Sequence, residues 1–342
     1  MMKLAVAAFL VPLLAACTNA SGHSSAANTV GSSVPSSGQS VVVSPIPSAA
    51  AAPSAPTPAA RVLTQRSELS LPVKVQETAA AATADRLYVI AGYDAASRST
   101  ARVFEFDGAS WSTGPSLPIP LNHPAAASLG GAVYVAGGFG PSGATNRAFV
   151  LDASAGSWRE IPSMRHARGA NVLLASGGKL YAIGGRSGTN QVGAVEVFDP
   201  VAARWSDLAP MPHPRNHLSG YVDGERLCVT GGREPATSAR TDCLDPASSR
   251  WTAAPSLPTA TSGAAAAMVA GEVVVAGGEP ANETSLVTTV FEGRDGQWSN
   301  VGMLVPRHGT GYVVFHDRLW MCGGASAPGV HAVSSCTSLG AG

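Results

Sequence analysis

The chain has 342 residues, with 22 acidic and 22 basic side chains and only 13% charged residues in all. A formal charge of zero excludes the electrostatic footprint expected of a nucleic-acid binder or of a protein held to anionic lipid by basic patches.

The first residues read MMKLAVAAFLVPLLAAC, one lysine and then an apolar run from Leu4 to Ala16. The run is too short to cross a bilayer as a helix and has the pattern of a secretory signal peptide. Its end, LAAC from Leu14 to Cys17, resembles the lipobox of bacterial lipoproteins. The resemblance implies removal of residues 1–16 and a lipid on Cys17, which anchors the chain to a membrane. Thr18, not aspartate, then favours the outer membrane, on its periplasmic face or at the cell surface. Residues 18–60 contain no Asp, Glu, Lys, Arg or aromatic side chain, so they cannot bury enough apolar surface to offset chain entropy. With Cys17 they are expected to be a disordered tether over residues 17–60, reaching roughly 35–40 Å.

Beyond residue 60 one unit recurs. Glycine pairs close apolar runs at Gly137-Gly138, Gly184-Gly185, Gly231-Gly232, Gly277-Gly278 and Gly323-Gly324, with Ala91-Gly92 in the same place at the start. The spacings are 46, 47, 47, 46 and 46 residues. A tryptophan keeps the same beat at Trp111, Trp158, Trp205, Trp251 and Trp298. Six units of this period point to a propeller or solenoid. Within residues 165–211, ARGANVLLAS and GKLYAIGG read as adjacent antiparallel strands across the turn at Gly177-Gly178. AVEVFDP alternates as a half-buried strand and ends in the turn Asp199-Pro200, and RWSDL supplies a fourth. The glycine pair allows positive φ and close backbone approach, and the tryptophan supplies area to fill between blades.

The pattern YVAGG or YAIGG, then a VFDP-like strand, then a tryptophan, is similar to the kelch repeat and covers residues 61–342. The resemblance implies an all-β fold: a six-bladed kelch-type β-propeller of four antiparallel strands per blade, each first strand lining the central channel. After Gly324 there is room only for a third strand, so the last blade is expected to close with an N-terminal strand from Arg61–Pro72, which aligns with the tryptophan strands but has Gln65 at the tryptophan position. Such closure removes the open sheet edge. The outer strands are short and often broken by proline, so edge-to-edge association is not invited and a monomer is expected.

Four cysteines form two pairs, Cys228 with Cys243 in blade 4 and Cys322 with Cys336 in blade 6, each on neighbouring strands of its blade, and in a compartment that permits oxidation two disulfides are expected, Cys228 to Cys243 and Cys322 to Cys336. The two pairs differ in register, because Cys228 lies three positions before its glycine pair and Cys322 one. None of the cysteines comes as a closely spaced metal-binding pair. His213 and His217 are flanked by prolines that forbid the helix needed to aim both at one ion. GFGPSG, Gly138 to Gly143, matches a phosphate-loop spacing but leads into no helix. No cofactor or metal is therefore expected.

The link into each first strand and the loop after each glycine pair share one face of the disc. At the starts of first strands Arg168, Arg215 and Arg307 align, with Val75, Leu121 and Thr261 in the other copies. Close by are Glu77, His123, His217 and His308; the loops add Asp94, Asn146, Arg186, Asn190, Arg233, Glu234, Glu279 and Glu283. Two duties are open to the aligned arginines. They either bind a carboxylate or other acidic group with bidentate forks over the channel mouth, or tie the blades together through loop carbonyls. Arg186 and Arg233 sit at a loop tip with no evident packing role.

Two functions follow as expectations. One is a membrane-anchored binding or scaffold module that offers this face to a protein or a cell-envelope glycan. The other comes from a second resemblance, since six-bladed periplasmic kelch proteins are similar to the N-acetylneuraminate epimerases. That resemblance implies sialic acid mutarotation with Arg168, Arg215 and Arg307 on the carboxylate and Glu77, Glu279 or His308 as acid or base.

Overall fold

The computed structural model describes residues 62–281 and 283–341. The expected signal peptide, Cys17, the tether and Arg61 lie outside the described residues. Among the latter there is no helix, and the strands form six four-stranded antiparallel sheets. Blade 3 is typical, running from the axis outwards as Val172–Ser176, Lys179–Ile183, Val195–Asp199 and Arg204–Leu208. The other first strands are Ala79–Ala82, Ala125–Leu129, Ser219–Asp223, Ala265–Val269 and Gly311–Phe315. They line the channel as expected.

Small side chains dominate these strands because six of them converge on one axis. A Cβ on Gly220 would already stand 3.2 Å from Val172 Cγ2 of the neighbouring blade. The gap left by Gly220 lets Tyr312 reach across the channel, its hydroxyl accepting a bond from Gly220 N at 3.2 Å. At the other end of the sheet Gly184 and Gly185 have φ of +68° and +98°, and a Cβ on either would lie 2.8 Å from a backbone carbonyl. The glycine pair is therefore a steric requirement of the blade-to-blade contact.

The repeated tryptophan packs between blades and also bonds them. In all five copies Nε1–H donates to a carbonyl 42 or 43 residues earlier, on the preceding blade's exit, at 2.7–3.1 Å. Closure follows the expected route. Leu63–Glu68 pairs with Cys336–Ala341 in unbroken register to complete blade 6. Gln65, which lacks an indole, reverses the polarity and accepts from Val305 N at 3.0 Å.

Both disulfides form. Cys228 lies directly opposite Cys243 and Cys322 opposite Cys336, with Cα separations of 4.0 and 4.1 Å. The two registers differ by two residues, which preserves the face of the strand, and each pair occupies a close-approach position of the ladder.

Candidate functional site

Three consecutive residues of each link build the channel mouth, and their roles alternate. The first comprises Val75, Leu121, Arg168, Arg215, Thr261 and Arg307. It points into the blade. Arg168, Arg215 and Arg307 are 0, 0 and 1% exposed. Arg168 donates to the carbonyls of Gly184 and Ala194 at 3.1 and 2.7 Å and to Glu196 at 2.5 Å. Arg215 bonds Gly231 O at 2.7 Å and Asp242 at 2.6 Å. Arg307 bonds the carbonyls of Gly323 and Ser335 at 3.1 and 2.8 Å and has no carboxylate partner among the described residues; burial pushes its pKa down to about 10. None of the three faces the mouth, and each side chain bonds groups of its own blade, so the structure places them neither at a ligand nor between blades: they lock the link onto the second and third strands of the blade it enters.

The third residue of each link forms the inner rim. Glu77, His123, Ala170, His217, Gly263 and Gly309 all have positive φ, between 49° and 65°. Each backbone N–H donates to the carbonyl of its counterpart in the preceding blade: Glu77 to Gly309, His123 to Glu77, Ala170 to His123, His217 to Ala170, Gly263 to His217 and Gly309 to Gly263, at 2.6–3.1 Å. Six equivalent amides thus close a hydrogen-bonded ring around the axis. Left-handed backbone costs a residue with a Cβ about 1–2 kcal/mol, yet four of the six positions carry one.

Three of those side chains are polar and meet over the channel. His123 Nε2 lies 3.1 Å from Glu77 Oε2. The His123 and His217 rings stand edge to face with centroids 4.9 Å apart. One donor atom from each of Glu77, His123 and His217 falls within 4.8 Å of the others. Burial holds the pKa of His123 below the ordinary imidazole value and that of His217 well below it. The middle residue of the link supports this rim: Asn122 and Asn216 each bond Nδ1 of the following histidine. His308, also a middle residue, reaches Glu77 and Glu279 at 3.6 Å each.

The residue after each glycine pair makes the outer rim, because it bridges to the middle residue of a link. In blades 1 to 6 it is Tyr93, Phe139, Arg186, Arg233, Glu279 and Ala325. Arg186 lies over the Phe139 ring at 4.7 Å. Arg233 pairs with Glu279 at 2.6 Å and Glu283 at 2.7 Å. In blades 2 to 4 this residue starts a two-stranded hairpin, and in blade 2 the hairpin pairs Gly140 with Gly143 of GFGPSG. The remaining loop candidates serve their own loops: Asp94 takes Arg98 at 2.8 Å, Glu234 takes Arg240 at 3.0 Å, and Asn146 donates to Met164 O at 2.8 Å.

Of the nine residues expected at a ligand site, Glu77, Arg186, His217, Arg233, Glu279 and His308 therefore gather at one end of the channel, above a cavity of about 480 Å³. His123, Phe139 and Tyr93 complete the group. The dipeptide Asn-His, present at Asn122-His123 and again two periods later at Asn216-His217, was the sequence signal for the histidine rim.

A solved structure described as "Structure of YjhT" is similar in fold, with a TM-score of 0.69 at 18% identity, covering 78% of this chain and 95% of that one. No curated protein matches the chain in sequence. The family model described as the KLHDC2/KLHL20/DRC7 Kelch-repeats domain matches residues 61–232. Together with six blades in register, five of them closed by a glycine pair, that match makes the chain a member of the kelch-repeat family.

Proposed function

We propose that the protein is a binding module whose ligand face is the rimmed end of the channel, and that it presents this face to a protein or a cell-envelope glycan. The observation that carries the reading is the inner rim. The fold needs only backbone at those six positions, and glycine meets the need in two of them, yet three carry Glu77, His123 and His217 over the cavity. A carboxylate and two imidazoles at the mouth of a cavity of about 480 Å³, with the rings of Tyr93 and Phe139 edge to face with His123, fit a saccharide unit better than a flat protein surface. A thermal-shift screen of the full chain against envelope glycan fragments, acidic sugars and acidic peptides tests it. A ligand at 100 times its Kd adds about 2.7 kcal/mol, and His217→Gly should abolish the gain. A gain that survives in His217→Gly places the ligand elsewhere.

One observation favours the mutarotase reading as the second choice. Glu77 and His123, 3.1 Å apart, form an acid–base pair at the mouth, and anomer exchange needs one group to take the anomeric hydroxyl proton and another to protonate the ring oxygen. Acceleration of sialic acid anomer exchange by the wild type and its loss in Glu77→Gln would support this; a rate equal to buffer would exclude it. Lipid anchoring through Cys17 rests on the lipobox alone, and Cys17→Ser should release the protein from membranes.

A further inference from the structure

We infer that Glu77, His123 and His217 form a binding site for a divalent transition-metal ion, of the kind that zinc occupies with two imidazoles, one carboxylate and an open position. The argument begins with hydrogen positions. Asn122 Nδ2 donates to Ser99 Oγ at 2.8 Å and to the carbonyl of Phe139 at 3.1 Å. Since a carbonyl can only accept, the amide orientation is fixed and Oδ1 faces His123 Nδ1, at 2.6 Å. His123 Nδ1 therefore carries a proton, which leaves Nε2 as the ring nitrogen able to present a lone pair. That nitrogen stands 3.1 Å from a carboxylate oxygen, a spacing that a shared proton or a metal ion bridges.

His217 repeats the arrangement. Its Nδ1 bonds Oδ1 of Asn216, whose Nδ2 is held by Gln191 at 2.6 Å. Its Nε2 is left without a hydrogen bond among the described residues. Metal-binding histidines characteristically donate the other ring N–H to such a partner, which fixes the tautomer and aims the ligating nitrogen. Here two histidines two repeats apart in sequence, each preceded by its own asparagine, bring a ring nitrogen within 4.8 Å of the same carboxylate.

The dimensions agree. Two ligand atoms on a tetrahedral zinc, each at about 2.1 Å, lie about 3.4 Å apart. The three donor atoms already fall within 4.8 Å of one another, a gap that small side-chain rotations close. The rim around them has three carboxylates, Glu77, Glu279 and Glu283, against the guanidinium groups of Arg186 and Arg233, and both Arg233 contacts are with carboxylates. Imidazole with carboxylate suits zinc and its neighbours in the first transition row. An ion here would keep a coordination position open to the channel mouth. The inference stands apart from the proposed ligand, because metal uptake is measured with no glycan or peptide present.

The test uses the full chain, stripped with chelator and dialysed, then titrated with Zn²⁺ by calorimetry and with Co²⁺ by visible absorption. One zinc per chain and a tetrahedral cobalt spectrum are expected. His217→Gly and Glu77→Gly should each weaken binding more than 10-fold, and Asn216→Ala, a positioning change, by 10- to 100-fold. His331→Ala, at an exposed histidine, should leave binding unchanged. Glycine is native at the inner-rim position in blades 5 and 6, as Gly263 and Gly309, so the glycine variants keep the backbone, and a melting curve for each confirms it. Failure of the wild type to take up either metal would overturn the inference. So would uptake that persists in His217→Gly, since zinc held elsewhere, at the Cys17 thiol for instance, would survive that substitution.

Discussion

Two positions of the link, only two residues apart, vary in opposite ways. At Val75, Leu121, Arg168, Arg215, Thr261 and Arg307 the side chain enters the blade, and every change is answered inside the same blade. Where the link has arginine, the third-strand residue paired with the position two before the glycine pair is Glu196, Asp242 or Thr337; where it has Val75, Leu121 or Thr261, that residue is Phe104, Phe149 or Phe291. Leu121 and Phe149 share one apolar cluster, Val75 and Phe104 another. In blades 1 to 4 the same volume is filled either by an ion pair or by hydrocarbon. At Glu77, His123, Ala170, His217, Gly263 and Gly309 the change from glutamate to histidine to glycine alters nothing in the blade, because the backbone ring is complete without side chains. The first position is set by packing; the second is left free for a ligand.

The sharpest way to break this contrast is Arg215→Leu. It leaves the Asp242 carboxylate, 4% exposed on its side chain, with the partly exposed His213 imidazole at 3.4 Å in place of its guanidinium partner, and should cost about 3–5 kcal/mol in denaturant unfolding. Adding Asp242→Phe, which copies blade 2, should recover most of the loss. A double variant no better than the single would show that the two fillings are not interchangeable. Blade 6 sharpens the point from the other side, because Arg307 has no carboxylate and its carbonyl partners, Met321 and Ser335, flank the disulfide cysteines. Replacing Cys322 and Cys336 by serine opens a link with a sequence separation of 14 and should cost about 3 kcal/mol. Arg307→Leu should cost the least, about 1–2 kcal/mol, since the lost bonds to carbonyls are offset by removing a buried charge with no counter-charge. A loss as large as that of Arg215→Leu would mean that the carbonyls alone make the arginine indispensable.

The blades, their closure and the two disulfides were legible in the sequence because each depends on a residue type that only one environment favours. Paired glycines mark positive φ and close approach, tryptophan marks the blade interface, and cysteines on adjacent strands mark a bridge. The third strand and the closing strand needed only the period. The aligned arginines were legible in position but ambiguous in direction, since alternate residues of an extended segment face opposite ways and the period does not say which face is the blade. The answer was present in the repeat itself: Glu196 and Asp242 replace phenylalanine only where arginine precedes them. The inner rim was harder to read. Its left-handed backbone is announced by glycine at only two of six positions, Gly263 and Gly309, and the four others hide it. What brings Glu77 to His123 and His217 is closure of the ring, a contact between chain segments 46 and 140 residues apart that no local pattern records.

The most direct measurement is the unfolding free energy of the triple variant Glu77→Gly, His123→Gly and His217→Gly, without metal, beside that of the wild type. If these side chains serve a ligand, relief of left-handed backbone at about 1–2 kcal/mol per residue offsets the lost imidazole and carboxylate contacts, and stability stays within about 1 kcal/mol of the wild type. A loss of about 3–5 kcal/mol, the size expected for breaking a buried ion pair, would show that the rim holds the propeller together and would contradict its assignment as a ligand site.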